Sequence, residues 1–232
     1  EPDYKTPENI IRAAKESLDR GDHGYTPSRG IEGLRNAVSE YFNLECGLEY
    51  DSDNVIVTPG AKQALFEAIM TMMDTNDEAI VLTPAWVSYE PIISMAGGKS
   101  IRVDLEPYGF QLLPGINKLK EAITDKTKMI VPIDYAGIPC EIDKIMELAT
   151  KYNLIVLQDT AQSFHSFHKD GAACGSKSTL SAFSFHETKN INCGEGGALI
   201  VNDETLVERA HFLQEKGTDR SLVLKGVKSK YS

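Results

Sequence analysis

Apolar residues at helical spacing open the chain: Ile10, Ile11, Ala14 and Leu18 fall on one face of a helix within Pro7 to Asp19. Arg20-Gly21-Asp22-His23-Gly24 interrupts that pattern, and a second helix is predicted from about Ile31 to Phe42. From Asn54 onward, β-branched runs alternate with amphipathic stretches. Val55 to Val57 precedes Lys62 to Met73, Ala79 to Leu82 precedes Val87 to Met95, and Ile101 to Leu105 precedes Ile116 to Thr124. Met129 to Ile133 then precedes Ile142 to Tyr152, and Leu154 to Leu157 ends the series. Strands that each lead into a helix predict a mainly parallel sheet covered on both faces, a three-layer α/β/α architecture. Later stretches are less regular, with short extended segments at Leu180 to Ser184 and Ala198 to Val201 and a helix from about Glu204 to Lys216. Residues 1–24 are expected to form an N-terminal helical arm, 25–216 a large domain, and 217–232 a truncated connection, whose end from Gly226 to Ser232 is polar and does not look like a finished domain.

Composition narrows the classes. The 232 residues, 41% apolar and 25% charged, suffice for a substantial core. No stretch approaches the roughly 18 apolar residues of a spanning helix, and the acidic start Glu1 to Leu18 lacks the regions of a signal peptide. A cytoplasmic protein is therefore expected. Cys46, Cys140, Cys174 and Cys193 form no Cys-x-x-Cys pair, which favours reduced thiols over a disulfide framework or zinc site. His23, His165, His168, His186 and His211 form no metal-ligand pattern, so no metal is assigned. A formal net charge of −10 argues against general nucleic-acid or anionic-membrane binding.

Several loops carry candidate chemistry at places where ligands lie in open α/β sheets, beyond the carboxyl ends of strands. Thr58-Pro59-Gly60-Ala61-Lys62-Gln63 joins a strand to a helix whose free amides suit a phosphate dianion; alone, it also reads as an ordinary turn. Neither a nucleotide P-loop nor a complete Gly-x-Gly-x-x-Gly is present. Trp86, the only tryptophan, follows a strand and offers an indole either to a ligand ring or to the core. Asp159 ends an apolar strand, as a ligand carboxylate or a helix cap. Ser184 precedes Lys189 by one loop and is a phosphate donor or a plain loop residue. Cys193 is placed near Lys189 as a pocket-lining residue. An amine that must form an imine with pyridoxal phosphate needs a lysine that can lose its proton, and the pyridinium nitrogen needs a carboxylate; Lys189 and Asp159 meet both needs.

These loops together resemble fold-type I pyridoxal phosphate enzymes, in two parts. Residues from about Tyr25 to Thr127 are similar to aspartate-type class I aminotransferases through Tyr25-Thr26-Pro27, Gly30-Ile31-Glu32-Gly33-Leu34-Arg35, Val57 to Leu65, Trp86-Val87-Ser88-Tyr89 and Ala96-Gly97-Gly98. This implies Gly60, Ala61 and Lys62 as the phosphate loop, Trp86 stacked on the cofactor, and Tyr25 reaching the phosphate of a second subunit. From about Ala122 the chain resembles instead the DegT/DnrJ/EryC1 sugar-nucleotide aminotransferases, most of all the dTDP-4-amino-4,6-dideoxygalactose transaminases. Tyr135 to Cys140, Asp159-Thr160-Ala161-Gln162, Phe183 to Asn190, Gly194 to Gly197 and Glu215 to Ser221 carry that likeness. It implies Lys189 as the Schiff-base lysine, Asp159 as the pyridinium partner, Gln162 beside the ring and Ser184 on the phosphate.

The joint departs from both patterns. Asp134-Tyr135-Ala136-Gly137 stands where class I enzymes have an Asn-Pro-rich loop, and Ala61-Lys62 where sugar-type enzymes have a small hydroxyl residue. A divergent lineage and a constructed hybrid are both open, and the chain is expected to lack a carboxyl-terminal small domain. The resemblance implies a homodimer transferring an amino group from glutamate to a keto sugar nucleotide. An amino-acid/keto-acid pair, a catalytically incomplete cofactor-binding scaffold, and a lyase or dehydratase on the same fold are the alternatives.

Overall fold

The structure, a computed structural model, describes residues 5–224 and 226–229. Residues 1–4 of the expected arm, and residues 225 and 230–232 of the expected terminal connection, lie outside the described residues. The elements are α1 (Glu8–Asp19), α2 (Glu32–Cys46), β1 (Val55–Thr58), α3 (Ala61–Met72), β2 (Glu78–Thr83), α4 (Tyr89–Met95), β3 (Lys99–Asp104) and α5 (Leu112–Ala122). They continue with β4 (Thr127–Val131), α6 (Ile142–Tyr152), β5 (Ile155–Asp159), β6 (Leu180–Ser184), β7 (Gly197–Val201), α7 (Glu204–Gln214) and α8 (Arg220–Leu224). One sheet of seven strands runs in the order β1-β7-β6-β5-β4-β2-β3 among the described residues. The strands from β6 to β3 are parallel to their neighbours, while β7 is antiparallel to both β6 and β1.

Period-two alternation divides the strand side chains between two cores. Ala79 and Val81 of β2, Met129 and Val131 of β4 and Leu157 of β5 face α3 and α4, where Leu65, Ile69 and Ile93 meet them. Ile80, Ile130 and Val156 face the opposite way, against Leu119 of α5 and Ile142 and Ile145 of α6. Farther along that second face, Phe42 of α2 covers Val55, Phe183 and Ile200. Burial on both faces is why these strands read as continuous apolar runs. Each fully buried Ile, Leu or Val contributes roughly 1.5–3 kcal/mol, an upper estimate because the unfolded chain is itself compact.

Several boundaries differ from the sequence pattern, among them α2, which runs on to Cys46 rather than ending at Phe42, and β4, which spans Thr127–Val131 rather than Met129–Ile133. The fifth helix starts at Leu112 rather than Ile116, because Pro114 and Gly115 fall in its first turn, where a missing N–H costs nothing. Gly115 also lies against Tyr108 and Leu105, and a Cβ there would be 3.0 and 3.1 Å from their side chains. The fourth helix begins at Tyr89, two residues later than its apolar pattern, and β5 runs on through Asp159. None of the residues of α1 is buried, although Ile10 and Ile11 are partly covered and Leu18 is exposed. No helix of the described residues is long and apolar enough to cross a membrane.

Candidate cofactor site

The loops singled out by sequence meet at one edge of the sheet. Gly197, the first residue of β7, pairs with Thr58 on one side and Ser184 on the other, which sets the end of β1 beside the end of β6. Its lack of a side chain permits the approach: a Cβ at 197 would fall 2.5 Å from the carbonyl carbon of Gly60 and 2.7 Å from the Ala61 nitrogen. Gly60 precedes α3 with φ +110°, a backbone that L side chains rarely adopt, and the Thr58 hydroxyl donates to its carbonyl at 2.9 Å. No side chain caps α3, so its first-turn amides remain available to an anion. Ala61 is buried within that turn, and Lys62 is exposed with Nζ 5.4 Å from the centre of the Trp86 ring. Ser184 is buried, and its Oγ accepts the His186 N–H at 3.3 Å.

Asp159 stands at the end of a central strand with its backbone tied to the segment after β4: its N–H donates to Pro132 O at 2.9 Å and its carbonyl accepts the Asp134 N–H at 3.0 Å. The residue is 4% exposed. Oδ1 accepts the Ala161 N–H at 3.0 Å, and Oδ2 accepts the Tyr89 hydroxyl. Burial pushes this carboxyl up from its ordinary range; the Tyr89 and Ala161 hydrogen bonds and the Lys189 ammonium oppose the rise, and Asp134 adds to it. Burial, together with the Asp159 charge, likewise pushes the Tyr89 phenol up. Tyr89 also meets Trp86 edge to face, with ring centres 5.6 Å apart and planes at 82°.

Lys189 is half-buried in the connection between β6 and β7, its backbone N–H donating to His186 O at 2.9 Å. That connection is anchored by Asn190, whose amide donates to the Phe164 carbonyl, and by Glu187 N–H to Gly194 O at 2.9 Å. Gln162 accepts the Ala136 N–H through Oε1 at 2.7 Å, tying the turn after β4 to the loop after β5. Cys193 is exposed, with its thiol on the Glu195 carbonyl at 3.2 Å, and does not line a buried pocket. Tyr25 is fully exposed within one chain. Asp134, at the departure from both family patterns, is fully buried and accepts from Cys140 N–H and Gln158 Nε2 at 2.8 Å and from Ser163 Oγ at 3.0 Å. Sequence reasoning gave no role to Tyr89; its place one helical turn after Trp86 was the available signal.

The sequence model of the DegT/DnrJ/EryC1/StrS aminotransferase family matches residues 42–230. The chain belongs to this family. It is also 38% identical over 166 residues to an aspartate aminotransferase of Bacillus subtilis, covering 68% of this chain and 42% of that protein. An aspartate aminotransferase of Pyrococcus horikoshii is 36% identical over 220 residues, 90% of this chain and 56% of the relative, so the likeness runs across the joint. Among solved structures, an aspartate aminotransferase from Thermotoga maritima superposes with a TM-score of 0.80 at 28% identity, covering 93% of this chain and 60% of that one. The chain thus spans about half the length of the curated relatives it matches. The architecture is that of the fold-type I aminotransferases.

Aminotransferases of this family depend on pyridoxal phosphate, and the residues present fit that group. Asp159 is a buried carboxylate with no ion-pair partner among the described residues, the arrangement a cationic ring nitrogen would complete. The Gly60–Ala61 turn is an uncapped helix start that only a glycine at 197 could approach so closely. Lys189, in the connection between β6 and β7, acts electrostatically on Asp159.

Proposed function

We propose that this chain is the cofactor-binding large domain of a pyridoxal phosphate-dependent aminotransferase, spanning residues 25–216 with the preceding residues as an arm. The buried Asp159, with no ion-pair partner among the described residues, carries the reading. Gly60, Ala61, Lys62 and Ser184 would hold the phosphate, Trp86 and Gln162 would flank the ring, and Asp159 would hold a proton on the ring nitrogen. Bound there, the cofactor supplies an electron sink for the carbon that bears the transferred amine. Lys189 Nζ would hold the cofactor and would move the proton at the substrate carbon. Trp86 would flank the ring and limit water access.

Glutamate as donor and a keto sugar nucleotide as acceptor are supported by the motifs around Lys189 and by the family match. A second reading, an amino-acid/keto-acid pair, is favoured by relatives named aspartate aminotransferase. The exposed Tyr25 supports a homodimer in which it completes the neighbour's phosphate site. The test is an absorbance spectrum with pyridoxal phosphate, before and after borohydride, for wild type and Lys189→Ala. A visible band fixed covalently to the peptide bearing Lys189, and absent in the variant, is expected. Adding glutamate or aspartate alone should then bleach the band and yield pyridoxamine phosphate. A band that neither donor bleaches would reduce the chain to a binding scaffold, and no band at all would refute the assignment.

A further inference from the structure

We propose that Tyr89 is a positioning residue of this site, a single side chain that fixes both the carboxylate meant for the cofactor's ring nitrogen and the indole that covers the ring. The inference rests on the reading of Asp159 given above. Tyr89 occupies the first turn of α4 and is 1% exposed. A phenylalanine would fill the same volume without bringing a hydroxyl into the core, and a buried hydroxyl without a partner is costly. Here the hydroxyl has one: it donates to Asp159 Oδ2, across 70 positions of sequence. Among the described residues it is the only side-chain donor to that carboxylate, the other bond coming from the Ala161 backbone. Each carboxylate oxygen has two acceptor sites, so both bonds leave room for a third donor.

The same residue holds Trp86, through its backbone and its ring. Tyr89 N–H donates to the Trp86 carbonyl at 3.3 Å, closing a turn between them, and the two rings meet edge to face. The groups that act on Asp159 are therefore Tyr89 from α4, Lys189 from the β6–β7 connection, Asp134 from the segment after β4, and the Ala161 amide of its own loop.

Two readouts test the role. In the cofactor-free protein, carbon-13 NMR titration of Asp159 is expected to move upward by about one pH unit or more in Tyr89→Phe, because a hydrogen bond to the charged form is lost. Trp86 is the only tryptophan, so quenching of its emission reports pyridoxal phosphate binding directly. Affinity is expected to fall about tenfold in Tyr89→Phe, and by less than twofold when the same change is made in Asp159→Asn. An unmoved Asp159 titration with affinity within twofold of wild type would overturn the inference, as would an equal loss in the Asp159→Asn background, which marks a merely structural role. Should Tyr89→Phe fail to fold, site-specific fluorotyrosine at 89, a stronger donor of similar shape, must shift the Asp159 titration downward; no shift overturns the proposal. Failure of wild type to bind pyridoxal phosphate sinks the proposed function and this inference together. Binding by wild type with no Tyr89 effect sinks the inference alone.

Discussion

Gly197→Ala tests the backbone contact on which the proposed phosphate loop rests. The added Cβ would lie 2.5 Å from the Gly60 carbonyl carbon, 2.6 Å from the Phe183 carbonyl oxygen and 2.7 Å from the Ala61 nitrogen. Comfortable carbon contacts begin at about 3.5 Å, and all three neighbours are main-chain atoms, so no rotamer change relieves the clash. Overpacking of this kind costs about 1–3 kcal/mol, with the upper figure appropriate where backbone must move. At about 2–4 °C per kcal/mol for a chain of this size, 3 kcal/mol lowers Tm by roughly 6–12 °C. Relief requires Gly60 and Ala61 to retreat by about 1 Å, which opens the helix start and weakens pyridoxal phosphate binding in parallel. Gly33→Ala is the control: Gly33 is exposed in α2, a Cβ there would meet nothing within 4 Å, and the change should stabilise by about 0.5–1 kcal/mol. Circular-dichroism melts and Trp86 quenching read both effects. A Gly197→Ala protein that melts with wild type, or that loses stability while binding the cofactor unchanged, would refute the reasoning.

Asp159→Asn should stabilise the cofactor-free protein at neutral pH while weakening cofactor binding. The folded state raises this carboxyl from an ordinary value of 3.8, so native protein binds more protons than unfolded protein above that pH, and stability falls as pH climbs from about 3.8 through the raised value. Melts of the two proteins should therefore diverge with rising pH, and parallel profiles would contradict the shift. Leu119→Ala, at a fully buried position of α5, is expected to cost about 2–5 kcal/mol in urea unfolding. Asp203, whose carboxylate caps α7 through the Thr205 N–H at 3.0 Å, should cost about 1 kcal/mol when replaced by Ala. Burial pushes the Cys174 thiol up to about 12, whereas Cys193 is exposed, so Ellman's reagent at pH 8 should label Cys193 in native protein and Cys174 only after denaturation. Rapid native labelling of Cys174 would contradict the packing.

Much of the sheet was legible because its strands are buried on both faces and read as unbroken apolar runs, as in Ala79 to Leu82. β6 is instructive in a different way. Leu180-Ser181-Ala182-Phe183-Ser184 carries two polar residues that point to opposite faces, yet both Ser181 and Ser184 are buried because the strand lies inside the sheet. Local composition cannot reveal that neighbour order. Helix starts were hidden where Pro114 and Gly115 masked a first turn. The places of Gly60 before a helix and of Asp159 at a strand end were readable from turn chemistry. Tyr89 was not, because its role depends on a partner far along the chain and on which way the first turn of α4 faces.

β1 touches the sheet through β7 alone. During synthesis, the segment that ends in Gly60 must wait for residues 197–201 before it has any strand to pair with, roughly ten seconds at translation rates of about 5–20 residues per second. The edge strand β1 is thus locked by β7, the seventh strand in chain order, and the same pairing sets Gly197 against the start of α3. If that turn is the phosphate loop proposed above, cofactor capture waits for this closure, and occupancy reports that these seven strands have assembled.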